Sequence, residues 1–162
     1  MRHNVYTQSK ETITLAQNDA YEIVLDGVLE AQIEIEEHVK AVVLLKLTNT
    51  DTIQISLQVK EGAEVSLLHQ NEANINLKET ADIYGYATLK SGFYVLDEIE
   101  TNMDVKYFLK ESEANATVLT STLSARKNTY DVECVHEVPY TSSMMENYAI
   151  SKESGNYTIT AS

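Results

Sequence analysis

The residues of this chain with the clearest chemical potential are Cys134 and His136, which stand two positions apart. Side chains at that spacing leave the same face of a β-strand, so a thiolate and an imidazole there could share a metal ion. A metal site usually needs a third protein ligand, and none stands nearby in the sequence. The sequence therefore favours another interpretation, in which Cys134 is a small buried apolar residue and His136 anchors a corner through hydrogen bonds.

Motifs of the common enzyme classes do not occur in the sequence. Ser142 and Ser143 follow His136, but no G-x-S-x-G elbow surrounds either serine. There is no G-x-x-x-x-G-K-[ST] or G-x-G-x-x-G loop for a nucleotide, and no D-x-D-x-D-G pattern for calcium. The sequence predicts that the chain is not an enzyme and binds no cofactor by itself.

Charge and composition exclude several kinds of partner. The chain has 12 Lys and Arg against 25 Asp and Glu, for a net charge of −13, which disfavours nucleic acid and anionic membrane surfaces. Its longest apolar run, Ala41 to Leu45, is far too short to span a membrane, and the first residues lack the apolar stretch of a signal peptide. A single cysteine forms no internal disulfide. These features together predict a cytoplasmic protein.

Alternation of apolar and polar residues with period two recurs along almost the whole chain. It is clear at 53–59, 105–109, 130–134 and 157–161, and the composition is rich in Val, Ile, Thr and Tyr. No segment reads as a convincing helix. At 162 residues, without a linker or a shift in composition, residues 1–162 are expected to form a single domain.

Short strands separated by polar corners fit either a β-sandwich or a parallel β-helix. A loose internal echo accompanies them, since an acidic corner precedes Ala and a new apolar strand both at 60–65 and at 110–118. One coil per roughly 20–25 residues would give about six or seven coils. For such a β-helix we expect these apolar residues to point inward: Ile55, Leu57, Val105, Leu119, Val132 and Ile159.

The segment from Tyr130 to Ser143 resembles the H-x-x-P-x-T-x-S stretch in the core of the SufB/SufD proteins, the scaffold components of the SUF iron–sulfur cluster assembly system. The stretch 146–159, with Gly155, looks like the family's following coil, and 61–65 is similar to its G-A corner. The residues that carry the resemblance are His136, Pro139, Thr141, Ser143 and Gly155.

The resemblance implies a right-handed parallel β-helix of roughly six coils, with the β-sandwich as the alternative fold. It also implies a SufD-like scaffold subunit that acts through contacts with a SufB-like subunit and the SufC ATPase, so that any iron–sulfur cluster belongs to the complex. The family's C-S-H-G-A segment and C-terminal helical region have no counterpart in these residues, and Cys134 does not match the family's reactive cysteine. A generic β-rich binding or structural module without activity remains the alternative function.

The last strand-like segment, 157–161, ends one residue before Ser162. A terminal coil of a solenoid exposes backbone groups and apolar side chains that can recruit another chain. We therefore expect a homodimer in isolation with Tyr157 and Ile159 at or near the contact, and a SufB-like subunit as the native partner. The alternative is a monomer whose last strand is covered by residues 1–10.

Overall fold

The computed structural model describes residues 1–152 and 155–162, without the side chains of Leu96 and Asp97. Ser154, in the segment that resembles the family's following coil, lies outside this range. No helix capable of crossing a membrane occurs among the described residues. The regular elements are fourteen β-strands: β1 Arg2–Tyr6, β2 Lys10–Leu15, β3 Asp19–Asp26, β4 Glu30–Ile35, β5 Lys40–Thr48, β6 Thr52–Val59, β7 Glu64–Asn71, β8 Ile75–Ile83, β9 Thr88–Asp97, β10 Thr101–Leu109, β11 Asn115–Ser124, β12 Lys127–His136, β13 Ser142–Ser151 and β14 Asn156–Ala161.

The strands form two parallel sheets. The odd-numbered strands make sheet A, in the order β1-β3-β5-β7-β9-β11-β13, and the even-numbered strands make sheet B, in the order β14-β12-β10-β8-β6-β4-β2. Because consecutive strands alternate between the sheets and each pairs with the strand two places on, the chain completes one turn of a solenoid between each strand and the next strand of the same sheet. The chain is a right-handed parallel β-helix of about six turns, as predicted, and not a β-sandwich.

The core is a set of apolar columns that run along the solenoid. Ile35, Val59, Ile83 and Leu109 stand in register on four neighbouring strands of sheet B, and each is at most 1% exposed. Neighbouring strands lie about 4.8 Å apart, so each residue of a column contacts the next. Period-two alternation places every second residue in this interior, which is why the sequence pattern predicts the fold.

Five of the six residues expected to point inward do so, and one does not. Ile55, Leu57, Val105 and Val132 are buried, and Ile159 is partly buried against the core. The prediction for Leu119 was wrong, since its side chain is outward and 38% exposed. Strand β11 has apolar residues on both of its faces. Its pairing with β9 turns the face that carries the smaller Ala116 and Val118 into the interior. Because a shift of one residue exchanges the two faces of a strand, apolarity alone could not decide the phase here.

The coils widen along the chain. In sheet A, 19 residues separate the paired Arg2 and Tyr21, whereas 27 residues separate the paired Val118 and Met145. The strands lengthen from 5 residues in β1 to 10 residues in β11. Later coils therefore enclose a broader interior with more inward positions to fill.

One corner is built in the same way in successive coils. Gly62 and Glu113 have φ angles of 67° and 65°, and the alanine after each is fully buried. At Gly62 an added Cβ would lie 2.3 Å from the His38 Nδ1, so no larger residue fits without moving that ring. The internal echo in the sequence is this corner. The other residues with positive φ that precede a strand of sheet A here are His38, Tyr86 and Tyr140.

Candidate functional site

The residues of the H-x-x-P-x-T-x-S stretch meet where β12 ends and β13 begins. His136 is the last residue of β12, and its Nδ1 lies 2.6 Å from Thr141 Oγ1 while its Nε2 lies 2.9 Å from Ser143 Oγ. The Thr141 hydroxyl donates to the carbonyl oxygen of Val138 at 3.2 Å. All three contacts are satisfied when His136 carries its proton on Nδ1 and accepts a hydrogen bond from Ser143 at Nε2. We call His136, Thr141 and Ser143 the histidine cluster.

Cys134 adjoins the histidine cluster from inside the solenoid. Its side chain is buried. Burial raises the pKa of the Cys134 thiol, the nearby Ser143 hydroxyl lowers it by a smaller amount, and nearby Glu133 raises it further. The thiol is therefore protonated at neutral pH, whereas nucleophiles and metal ligands need the thiolate.

The geometry of the histidine cluster limits the chemistry it can perform. The 2.9 Å contact between His136 Nε2 and Ser143 Oγ has the spacing of a base and its nucleophile. In an activated pair of this kind a third group, commonly a carboxylate, orients the imidazole, but here the Thr141 hydroxyl takes that place. Within residues 1–152 and 155–162, no three His, Cys, Asp or Glu side chains are grouped to hold a metal ion. The Cys134 and His136 pair thus has no third ligand in the described part of the chain.

The two remaining motif residues shape corners. The Pro139 carbonyl accepts a hydrogen bond of 3.3 Å from the Ser112 hydroxyl of the preceding coil. At Gly155 an added Cβ would lie 2.5 Å from the Ser124 carbonyl oxygen, so the chain passes too close for a side chain. Pro139 lies in the same corner as the histidine cluster, whereas Gly155 lies in the corner between β13 and β14.

Tyr157 and Ile159 face the interior from β14, the outermost strand of sheet B. Both are partly buried against the core. The Tyr157 hydroxyl donates to Asn147 Oδ1, and its ring packs edge-to-face on Tyr130 with 5.1 Å between ring centroids. The predicted interface residues therefore line the end of the interior, which β13 and β14 leave uncovered within the described structure.

The structure also contains a buried polar network that the sequence analysis missed. The imidazole Nε2 of His69 lies 2.5 Å from Glu79 Oε2, and the Tyr107 hydroxyl lies 2.5 Å from Glu79 Oε1. The Tyr107 hydroxyl also lies 2.6 Å from Ser91 Oγ, and His69 stacks on Phe93 at 4.1 Å. The members of this core network, His69, Glu79, Ser91 and Tyr107, are at most 2% exposed.

A signal for the core network was present in the sequence. Glu79 stands in the inward phase of β8, between Leu77 and Ala81, and a buried carboxyl group needs hydrogen-bond partners. Burial, followed by the proximity of Glu79, raises the pKa of Tyr107 well above its ordinary value, so the phenol stays protonated and donates to Glu79. The network joins β7, β8, β9 and β10 across the interior. Its closed surroundings indicate a structural role.

Comparisons with known proteins supply no relative. No protein-family model, curated protein or solved structure matches this chain. The resemblance to the SufB/SufD proteins therefore rests on the motif residues themselves.

Proposed function

We propose that this chain is a SufD-like scaffold subunit of iron–sulfur cluster assembly, which acts through protein–protein contacts and performs no catalysis of its own. One observation carries the proposal: His136, Thr141 and Ser143, the most specific residues of the resemblance, form a single hydrogen-bonded cluster. That cluster lies at the last coil of a parallel β-helix, the fold that the resemblance implies.

The chemistry of the site supports a scaffold better than an enzyme. The Cys134 thiol is buried with a raised pKa, and the His136 imidazole is oriented by a hydroxyl group in place of a carboxylate. Iron–sulfur clusters are held mainly by sets of cysteine thiolates, and this chain has one cysteine. We therefore place any cluster in the complex, with ligands from the partner subunits.

The last coil is the proposed contact with a SufB-like subunit. Strands β13 and β14 are the outermost strands of their sheets, so one row of backbone donors and acceptors on each has no ladder partner in the described structure. Partly covered apolar side chains, including Met145, Tyr157 and Ile159, lie between these two edges. An added strand or coil could pair with both edges and cover these side chains. We further propose SufC as a member of the complex, the cytoplasm as its location and a homodimer when the chain is isolated.

Co-expression tests this proposal. The tagged chain is produced with a SufB-like subunit and SufC, purified through its tag, and the co-purified subunits are measured by mass spectrometry. We expect both partners to co-purify, and we expect Ile159→Lys to abolish binding because it places an unpaired charge in the contact. Val5→Lys is the matched control, since Val5 is an exposed apolar residue of β1 at the opposite end of the solenoid.

Absence of both partners from the wild-type preparation would contradict the proposal and leave the generic binding module as the better description. Reconstitution gives a second readout. The purified chain, incubated with iron and sulfide and then desalted, should keep no visible chromophore. A chromophore that persists and is lost in Cys134→Ala would assign cluster binding to this chain alone.

A further inference from the structure

The exposed apolar side chains of this β-helix concentrate on the outer side of one sheet. Among the described outward residues, sheet B has no large apolar side chain of comparable exposure. We call the outward residues of sheet A the A face. Its large apolar members, each between 38% and 66% exposed, are Val5, Val42, Leu68, Tyr94, Leu119, Met144, Tyr148 and Ile150.

The A face also contains a groove. Gly92 interrupts the column between Leu68 and Leu119 and leaves a groove of about 280 Å³ that both leucines line. An added Cβ at Gly92 would lie 3.2 Å from Leu68 Cδ1, so the leucine leans over the glycine. A flat apolar face with a shallow recess suits packing against another sheet face.

Two exposed charges of opposite sign stand on the A face without ion pairs. Lys90 and Glu146 are exposed, and neither has an ion-pair partner among the described residues. Lys90 is in register with Thr117 and Met144, and Glu146 stands two residues beyond Met144. Two strand spacings and two residue rises put the Lys90 and Glu146 Cα atoms roughly 12 Å apart, too far to pair within one chain. Their midpoint falls on β11 beside Leu119.

We propose that the A face binds a second copy of this chain, with Lys90 of each copy opposite Glu146 of the other. A twofold axis can lie between the two faces and pass through the midpoint of Lys90 and Glu146, beside Leu119. Rotation about this axis places Lys90 of each copy opposite Glu146 of the other, so both ion pairs form at once, as an isologous interface requires. The same axis brings Leu119 of each copy close to the Gly92 groove of the other. Lys90, Glu146 and the groove then each have a complementary partner.

The charge of the A face suits a second copy. The axis beside Leu119 lies near the β13 edge of sheet A, so two copies overlap over only part of an outer face of roughly 700–750 Å², and the contact is smaller than the ~800 Å² per partner of a standard interface. Two chains of net charge −13 repel each other, so they can meet only where local charge is nearly balanced. The described outward residues of sheet A carry three lysines against four acidic residues, namely Lys40, Lys46, Lys90, Glu22, Asp26, Glu64 and Glu146.

The A face is a different surface from the last-coil contact, around Tyr157 and Ile159, that the sequence predicts for the homodimer. Tyr157 and Ile159 point into the interior and are partly covered, whereas the A face exposes its apolar side chains to solvent. The second copy contacts outward side chains of sheet A, including those of β13, whereas the proposed SufB-like partner pairs with the backbone edges of β13 and β14. Self-association through the A face does not depend on the iron–sulfur role, so the two proposals can fail separately.

Sedimentation velocity of the purified chain at about 1–50 μM tests the proposal. We expect the wild type to sediment as a dimer, twice the 18.2 kDa chain mass. Lys90→Glu and Glu146→Lys should each weaken dimerisation at least about tenfold, because each places like charges opposite one another twice. The double variant Lys90→Glu/Glu146→Lys restores opposite charges and should recover most of the wild-type affinity.

Matched controls reverse exposed charges on sheet B. Lys78→Glu and Asp104→Lys should leave the dimer unchanged, and circular dichroism should show that every variant is folded. Leu119→Arg, at an already exposed position, should give a monomer. A monomeric wild type at all concentrations would overturn the proposal. A dimer that tolerates Leu119→Arg, or that the double charge exchange fails to restore, would overturn it as well.

Discussion

The interior of the β-helix differs between its first and second halves. Up to Leu67 the described buried residues are almost all aliphatic, and the one buried aromatic residue there, Tyr21, reaches the Gln17 carbonyl oxygen with its hydroxyl. From β7 onward polar side chains enter the core. Those that are buried are His69, Glu79, Ser91, Thr101, Thr120, Thr122, Ser124 and Asn128.

The difference follows the widening of the coils. Aliphatic side chains fill the narrow early coils, whereas the broad later coils are bridged by hydrogen-bonded pairs such as Thr122 with Tyr130 at 2.7 Å and Asn128 with Ser124 at 2.7 Å. A slipped register would leave such groups buried without partners. The same β-helix architecture thus contains two kinds of interior. In the later coils the buried hydrogen bonds make strand pairing more specific, in addition to the stability that apolar burial provides.

Removal of the carboxyl group at the centre of the core network should have the largest effect on stability. Glu79→Ala leaves His69 and Tyr107 buried without their main partner, and we expect the free energy of unfolding to fall by about 3–5 kcal/mol. Urea denaturation followed by circular dichroism measures the change. A loss below about 1 kcal/mol would show that the network adds nothing to the later coils.

An apolar replacement of the network separates stability from specificity. The triple variant His69→Leu/Glu79→Leu/Tyr107→Phe leaves few buried polar groups unpaired, and we expect its stability to lie within about 1–2 kcal/mol of the wild type. If the triple variant is as unstable as Glu79→Ala, the polar pairs themselves stabilise the later coils.

A large-to-small change in the aliphatic half provides the matched comparison. Ile55 is fully buried, so Ile55→Ala should cost about 2–5 kcal/mol and Ile55→Val about 0.5–1.5 kcal/mol. Both costs arise from lost apolar burial and the cavity left behind, and both are read from the same urea titrations. Equal costs for the two variants would mean that the early coils collapse around the deletion.

The second half should also respond to alkaline pH. Burial raises the pKa of Tyr130 to about 12, against an ordinary value of 10.0. The stability linked to this phenol is complete below pH 10 and is lost as the pH rises towards 12, because the unfolded chain loses the proton first. Tyr130→Phe should reduce this loss between pH 9 and pH 11 while costing about 1–3 kcal/mol at pH 7, since Thr122 loses its partner. An unchanged pH slope in Tyr130→Phe would contradict this assignment.

The smallest effect is expected at the histidine cluster. His136 is exposed, and its hydrogen bonds to Thr141 and Ser143 compete with water. His136→Ala should therefore lower the free energy of unfolding by only about 0.5–1.5 kcal/mol. A thermal unfolding scan beside the wild type checks this, and a loss above about 3 kcal/mol would make the cluster a structural element of the last coil.

Much of the fold could be predicted from the sequence because burial follows period-two alternation. The corner echo at 60–65 and 110–118 is the repeated left-handed corner, with Gly62 and Glu113 in equivalent positions. The phase of β11 could not be predicted, since the apolar Leu119 competes there with Val118 and only the neighbouring strand decides.

The histidine cluster and the core network also differ in how far the sequence could predict them. The histidine cluster spans eight consecutive residues, so a motif could indicate it from the sequence. The core network runs from His69 to Tyr107. Its Glu79 and Tyr107 side chains stand 28 positions apart, and their closeness depends on coil length and register. An inward Glu79 indicates that its carboxyl group has a hydrogen-bond partner. Which residue that partner is depends on how the coils stack in the folded chain.

Hydrogen exchange measured by mass spectrometry tests the proposed scaffold function most directly. The chain is compared alone and with a SufB-like subunit, and deuterium uptake is followed in peptides from each end of the solenoid. We expect protection of β13 and β14, with no change in β1 and β2 at the opposite end. Absence of protection, or protection confined to β1 and β2, would contradict the account.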